Sequence, residues 1–148
     1  GRLKIDPAPC NLNELIQELI TTLKLTLERR NISLIYTPPK QTLTIFADSE
    51  KMLRVFYNLV GNAIKYIHSQ GKIALNIYPI EEKIVIEIED NGPGMHAEQV
   101  NKLFQLYYRT EEAETSQVRG TGLGLFIEIS VTSQPNAGTK FTIQLPKH

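Results

Sequence analysis

Apolar residues recur every three or four positions early in the chain: Leu12, Leu15, Ile16, Leu19, Ile20, Leu23 and Leu27. This spacing predicts an amphipathic helix running to about Arg30, with one face on a core. Asn11 is suited to cap it, and Glu14 follows at near capping-box spacing. Gly1–Pro9 reads as a polar lead-in, and its abrupt GRLKID start reads as that of an excised domain. Ile32–Tyr36 and Thr42–Phe46 read as two strands separated by the turn Pro38-Pro39-Lys40. Asp48-Ser49 then opens a second helix to about His68, with Met52, Val55, Phe56, Leu59, Ala63 and Ile67 as its apolar stripe.

The period then changes from helical to alternating. Lys72–Tyr78 and Lys83–Glu89 predict a hairpin-like strand pair around Pro79–Glu82. In the second strand, Ile84, Ile86 and Ile88 alternate with Val85, Glu87 and Glu89. Asp90 keeps the isoleucine parity, so it is expected on the inward face, where an unpartnered carboxylate is costly. Asn91-Gly92-Pro93-Gly94 then turns the chain sharply. A surface turn with Asp90 as its cap fits the same residues. Residues 96–107 suggest a short helix with Val100, Leu103, Phe104 and Tyr107 inward. Thr110–Val118 is polar and reads as a mobile loop. An apolar segment to Val131, a turn at Gln134–Gly138 and a last strand Thr139–Leu145 close the chain.

Composition narrows the class without naming a function. The 148 residues are 41% hydrophobic and 22% charged, fitting one globular domain with a real core. A formal net charge of zero offers no electrostatic case for nucleic-acid or membrane binding. The single Cys10 cannot form an internal disulfide. No apolar run approaches membrane-spanning length and no signal peptide is visible, so a cytoplasmic module is expected, cut from a parent that is free to be membrane-anchored.

Two features carry candidate chemistry. Lys51, Arg54, Asn58, Asn62 and Lys65 share one side of the second helix. A solvated face explains such a stripe, but mid-helix asparagines carry a propensity cost because their amides compete for the backbone. Further on, Gly120-Thr121-Gly122-Leu123-Gly124-Leu125 places three glycines at alternate positions, and bare backbone N–H groups there can cradle phosphates. It is neither a P-loop nor a Rossmann fingerprint; taken alone it is equally a flexible hinge.

The order of these motifs resembles the ATP-binding catalytic domain of sensor histidine kinases, within the superfamily shared with gyrase, heat-shock chaperone and mismatch-repair ATPases. FYNLVGNAIKY, Phe56–Tyr66, is similar to its N box, DNGPGM, Asp90–Met95, to its first glycine box, LFQLYYR, Leu103–Arg109, to its F box, and GTGLGL to its second glycine box. The resemblance runs from about Asn11 to Pro146. It implies an α/β (α+β) two-layer sandwich, with a mixed sheet of about five strands and helices on one face. It also implies a site for ATP and Mg²⁺. Asp90 would accept from the adenine amine, with Thr139 joining the base contacts, and Gly92 and Gly94 would let backbone approach base and sugar. Asn62 would coordinate Mg²⁺ through its amide oxygen, with Asn58 in the same phosphate and metal region. Lys65 would touch phosphate, Tyr66 would pack beside the purine, and Arg109 or Arg119 would reach the γ-phosphate. Thr110–Arg119 would form a lid that closes with the backbone of Gly120, Thr121, Gly122, Leu123 and Gly124. Lys65 and the arginines are open to the simpler reading of exposed charges.

The hydrolysing relatives carry a glutamate where this chain has Asn58. An amide cannot accept a proton from water, which favours phosphoryl transfer to a protein group. His68, His96 and His148 do not match the family's phosphoacceptor motif, so the acceptor is expected on a separate helical dimerisation domain, with a response regulator as an indirect partner. The family also continues GLGLFI into a helix of about three turns. Here LFI runs into EISVTSQPNAG, and loss of that helix predicts bared apolar sheet surface. Chain 1–148 is thus expected to be a single domain of a two-component signal-transduction transferase, a protein histidine kinase. A gyrase-type ATPase and an inactive nucleotide-binding scaffold are the alternatives.

Overall fold

The computed structural model describes residues 6–67, 70–94, 96, 98, 117–119 and 126–148, with backbone only for 117–119 and 126. In chain order the elements are β1 (Ala8–Asn11), α1 (Leu12–Arg29), β2 (Ser33–Thr37), β3 (Thr44–Ala47), α2 (Ser49–Tyr66), β4 (Lys72–Ile80), β5 (Lys83–Asp90), β6 (Gln117–Arg119), β7 (Phe126–Ser133) and β8 (Thr139–Pro146). A six-stranded mixed sheet in the order β2-β4-β5-β8-β7-β6 forms the body, with the helices on one side. A two-stranded ribbon pairs β1 with β3.

Both helices start where their caps dictate. The Asn11 side chain accepts the Glu14 N–H at 3.2 Å. Asp48 accepts the N–H groups of Asp6 and Lys51, and these two bonds hold its carboxyl below the usual carboxylate range against the opposing pull of burial. At the other end, the Arg30 guanidinium donates to the Ile67 carbonyl at 2.7 Å, tying the C-cap of α1 to the C-cap of α2. The cation thereby satisfies a carbonyl that the helix leaves unpaired.

Alternation in the strands sorts the two sheet faces. Ile73, Leu75 and Ile77 of β4, Ile84, Ile86 and Ile88 of β5, and Phe141, Ile143 and Leu145 of β8 are buried with Leu12, Ile16, Leu19, Met52, Phe56 and Leu59 from the helices. The far face is polar: Tyr78 donates to Glu87, which also pairs with Lys140 at 3.2 Å. Val60 and Ile64 join the core beside the expected α2 stripe, because the buried arc of this helix is wider than one seam.

Three expectations change. The lead-in is not wholly irregular, since Ala8–Asn11 forms β1. The strands around residues 33–37 and 44–47 do not pair with each other: β2 runs parallel to β4, whereas β3 takes β1. Parallel pairing needs a long crossover, and β3 with α2 supplies it. The bared apolar surface is not found at β7. Phe126–Ser133 enters the sheet directly beside β8, and Ile127 and Ile129 are fully buried in the core.

Phe56 is a large side chain at 0% exposure, at the centre of this helix–sheet seam. Phe56→Ala is expected to cost about 3–5 kcal/mol by chemical denaturation, through lost transfer energy and the cavity left behind.

Candidate nucleotide site

The register places one transverse row of side chains at the end of the sheet. Leu34 of β2 lies opposite Ile73 of β4, Ile73 opposite Asp90 of β5, Asp90 opposite Thr139 of β8, and Thr139 opposite Ser133 of β7. All five keep the parity of the inward face. The row therefore runs from apolar to polar, and its polar half sits where α2 ends.

Asn62, Ala63 and Tyr66 of α2, Asp90, Pro93 and Gly94 after β5, and Thr139 and Phe141 of β8 line one pocket there. Asp90 accepts the N–H of Gly92 at 2.8 Å and also the backbone N–H of Thr139. Burial raises its carboxyl above the ordinary aspartate range, and these two donors only partly offset that rise. A carboxylate so placed remains an acceptor for a further donor. The parity argument for an inward Asp90 thus holds, and the surface-turn reading does not.

Gly94 has a structural duty in the turn. Its φ of 77° is left-handed, and a Cβ there would stand 1.8 Å from the Gln134 carbonyl oxygen. The Asn136 N–H donates to the Pro93 carbonyl, so the turns at 91–94 and 134–138 are packed backbone to backbone. Gly138 repeats the constraint, with φ 77° and a would-be Cβ 2.3 Å from the Asp90 carbonyl oxygen.

Asn62 is 9% exposed, and its amide nitrogen has no hydrogen-bond partner among the described residues. Buried polar groups are rarely left so, and this one belongs to a residue that lines the pocket. Its amide offers two N–H donors and one hard oxygen, which fits a Mg²⁺–phosphate group. Asn58 is half-buried one turn earlier. Among the described residues no cluster of acidic, His or Cys side chains could hold a metal by itself.

Of the expected site residues, Asn62, Tyr66, Asp90, Gly94 and Thr139 come together in the pocket, and Gly92 anchors Asp90. Tyr66 is half-exposed, and the exposed Lys65 holds its ammonium 5.5 Å from the Tyr66 ring centre. Arg119 ends β6, opposite Phe126. Residues 117–119 of the expected lid are therefore a sheet strand. Arg109, Gly120, Thr121, Gly122, Leu123 and Gly124, with residues 110–116 of the lid and most of the 96–107 segment, lie outside the described residues. Ala63, Pro93 and Phe141 were not foreseen as pocket walls. Their apolar positions read as core or turn, and only the register shows that they border a gap.

Residues 47–148 match the family described as histidine kinase-, DNA gyrase B- and HSP90-like ATPase, and the chain belongs to it. The sensor protein RprX of Bacteroides fragilis is 36% identical over 146 residues, 90% of this chain and 28% of RprX. The sensor kinase WalK of Staphylococcus aureus is 33% identical over 120 residues, 73% of this chain and 29% of WalK. The chain thus spans less than a third of either relative. The nucleotide-free catalytic domain of histidine kinase ThkA superposes with a TM-score of 0.76 at 26% identity, covering 96% of each chain.

The raised carboxyl of Asp90 has a sign that can be tested. A folded-state value above the unfolded one means that the charge costs stability, fully so once the pH exceeds the raised value. Asp90→Asn is expected to melt at or above the wild-type temperature at pH 7 without ligand. The gap should close as the pH falls into the ordinary aspartate range, where both side chains are neutral. A calorimetric scan across pH 3–8 checks this.

Proposed function

We propose that this chain is the ATP-binding catalytic domain of a sensor histidine kinase, passing the γ-phosphate of Mg-ATP to a histidine on a separate helical phosphoacceptor domain. The observation that carries this reading is the pairing of two features in one pocket: the inward acceptor Asp90 at its floor and the unpaired Asn62 amide on its wall. Asp90 and Thr139 hold the amino edge of the adenine, and Tyr66 lies beside the purine. Asn62 and Asn58 hold the metal–phosphate end, where Mg²⁺ supplies charge neutralisation for the departing phosphoryl group. Lys65, Arg109 and Arg119 add positive charge around the phosphates, and residues 110–116 with the second glycine box close over the nucleotide. Phosphoryl transfer needs positioning and electrostatics more than a protein nucleophile, and these residues suit that demand.

Asn58 separates this reading from a gyrase-type ATPase. An asparagine has no basic oxygen with which to draw a proton from water, so hydrolysis lacks its general base. Among the described residues no helix is long and apolar enough to cross a membrane, which accords with a domain held in the cytoplasm by its parent. The response regulator is met through the parent's phosphohistidine.

Two measurements test this assignment. Titration calorimetry should show ATP bound in preference to GTP, which has a carbonyl in place of the amine. Asp90→Asn should weaken ATP by roughly ten- to a hundredfold, the worth of one hydrogen bond to a charged group. Equal ATP affinity in both proteins would remove Asp90 from base recognition. Separately, Asn62→Ala should weaken nucleotide binding in Mg²⁺ more than in chelator. Equal losses would take Asn62 away from the metal.

A further inference from the structure

We propose that Arg30 is a positioning residue: by holding the carbonyl at the end of α2 it fixes the gap between the α2 wall of the pocket and the turn after β5, so that one nucleotide engages both at once. The inference rests on the nucleotide reading above and adds to it a residue outside the pocket that sets its width.

The two sides of the pocket are anchored differently. The turn after β5 is fixed to β4: the Asn91 side chain accepts the Lys72 N–H at 2.7 Å, and the Asn91 N–H donates to the Lys72 carbonyl at 3.2 Å. One residue earlier, the Gly71 carbonyl accepts the Ser33 N–H at 2.9 Å, which ties the same point to β2. The other side is the last turn of α2, with Asn62, Ala63 and Tyr66 in the pocket wall. The final carbonyls of a helix have no partner within it, so what they bond to decides where the helix end sits. Here the carbonyl of the C-cap residue Ile67 receives the Arg30 guanidinium at 2.7 Å. Arg30 is itself the C-cap of α1, with its own N–H on the Thr26 carbonyl, so the donor arm starts from a fixed backbone.

Ile67 converts that hold into a width. Its side chain is buried, and it reaches two glycines of the opposite side. A Cβ on Gly71 would collide with Ile67 Cγ2, and one on Gly92 would stand 3.3 Å from Ile67 Cγ1 and 3.0 Å from Asp90 Oδ1. The end of α2 thus rests on the residue whose N–H holds the Asp90 carboxylate. If α2 drew away from the turn, Asp90 would keep the base while Asn62 and Asn58 left the phosphates. A ligand that spans both sides depends on this spacing, whereas one that uses the base side alone does not.

The test is titration calorimetry of the full chain with Mg-ADP, which spans both sides, and adenosine, which lacks the phosphates. Arg30→Met keeps most of the bulk and removes the donor. It should weaken Mg-ADP by about three- to tenfold and adenosine by less than about twofold. The contact is one N–H on one carbonyl, so Arg30→Lys should restore Mg-ADP binding. Hydrogen exchange on the ligand-free proteins reads the same device directly. The Ile67 amide, bonded to the Ala63 carbonyl, should exchange faster in Arg30→Met, while the Gly92 and Thr139 amides on Asp90 hold their wild-type rates. Unchanged Mg-ADP affinity, equal losses for the two ligands, or Arg30→Lys no better than Arg30→Met would each overturn the role of Arg30. So would unchanged exchange at Ile67, or equal acceleration at all three amides, which is general loosening. If Arg30→Met does not fold, Arg30→Gln, whose shorter amide falls short of the carbonyl, replaces it under the same outcomes. Wild type that binds neither ligand would overturn the nucleotide reading, and exchange at Ile67 then decides the role of Arg30 by itself.

Discussion

A carboxylate held at the inward end of a central strand is the constraint around which this domain is arranged. Asp90 continues the isoleucine face of β5 into a region where charge is costly. Two backbone donors, from Gly92 and Thr139, make the position tolerable. Supplying them requires a turn that doubles back immediately after β5 and a strand β8 that begins opposite Asp90. The glycines at 94 and 138 follow from the same demand, because the turns that bring the donors in have no room for a Cβ between their backbones.

This constraint also explains why the site lies at one end of the sheet. Along β5 and β8 the inward residues are apolar until the last pair, where Asp90 faces Thr139. The helices cover the apolar part, and α2 stops at Tyr66 beside the polar part. The helix thus brings the Asn62 amide to the pocket without displacing the core, since Leu59 and Ala63 on the same helix are buried in it. Stability and recognition are separated by position along the strands.

Much of this was legible in the residues. Parity alone placed Asp90 inward, and helical spacing placed Asn58, Asn62 and Lys65 on one side of α2. The cap at Asn11 was visible, and Asp48-Ser49 marked the start of α2. What was not legible depends on contacts distant in sequence. Ser33–Thr37 and Thr44–Ala47 are close along the chain yet join different sheets, a choice made by partners that local pattern does not reveal. Phe126–Ser133 read only as an apolar segment because its strand identity comes from lying beside β8. Gly94 was read as letting backbone approach a ligand; its second duty, leaving room for the Gln134 carbonyl, depends on a turn forty residues away.

The place of β8 in the sheet has a consequence for how the molecule is made. This strand is the last of the described elements in chain order, yet it is hydrogen-bonded on both edges, between β5 and β7. Until it has been synthesised, β5 lacks one neighbour and Asp90 lacks the Thr139 donor. A ribosome-bound chain that has exposed only its earlier elements therefore lacks the β8 wall of the pocket, formed by Thr139 and Phe141. The pocket is therefore complete only when the chain has been made through β8.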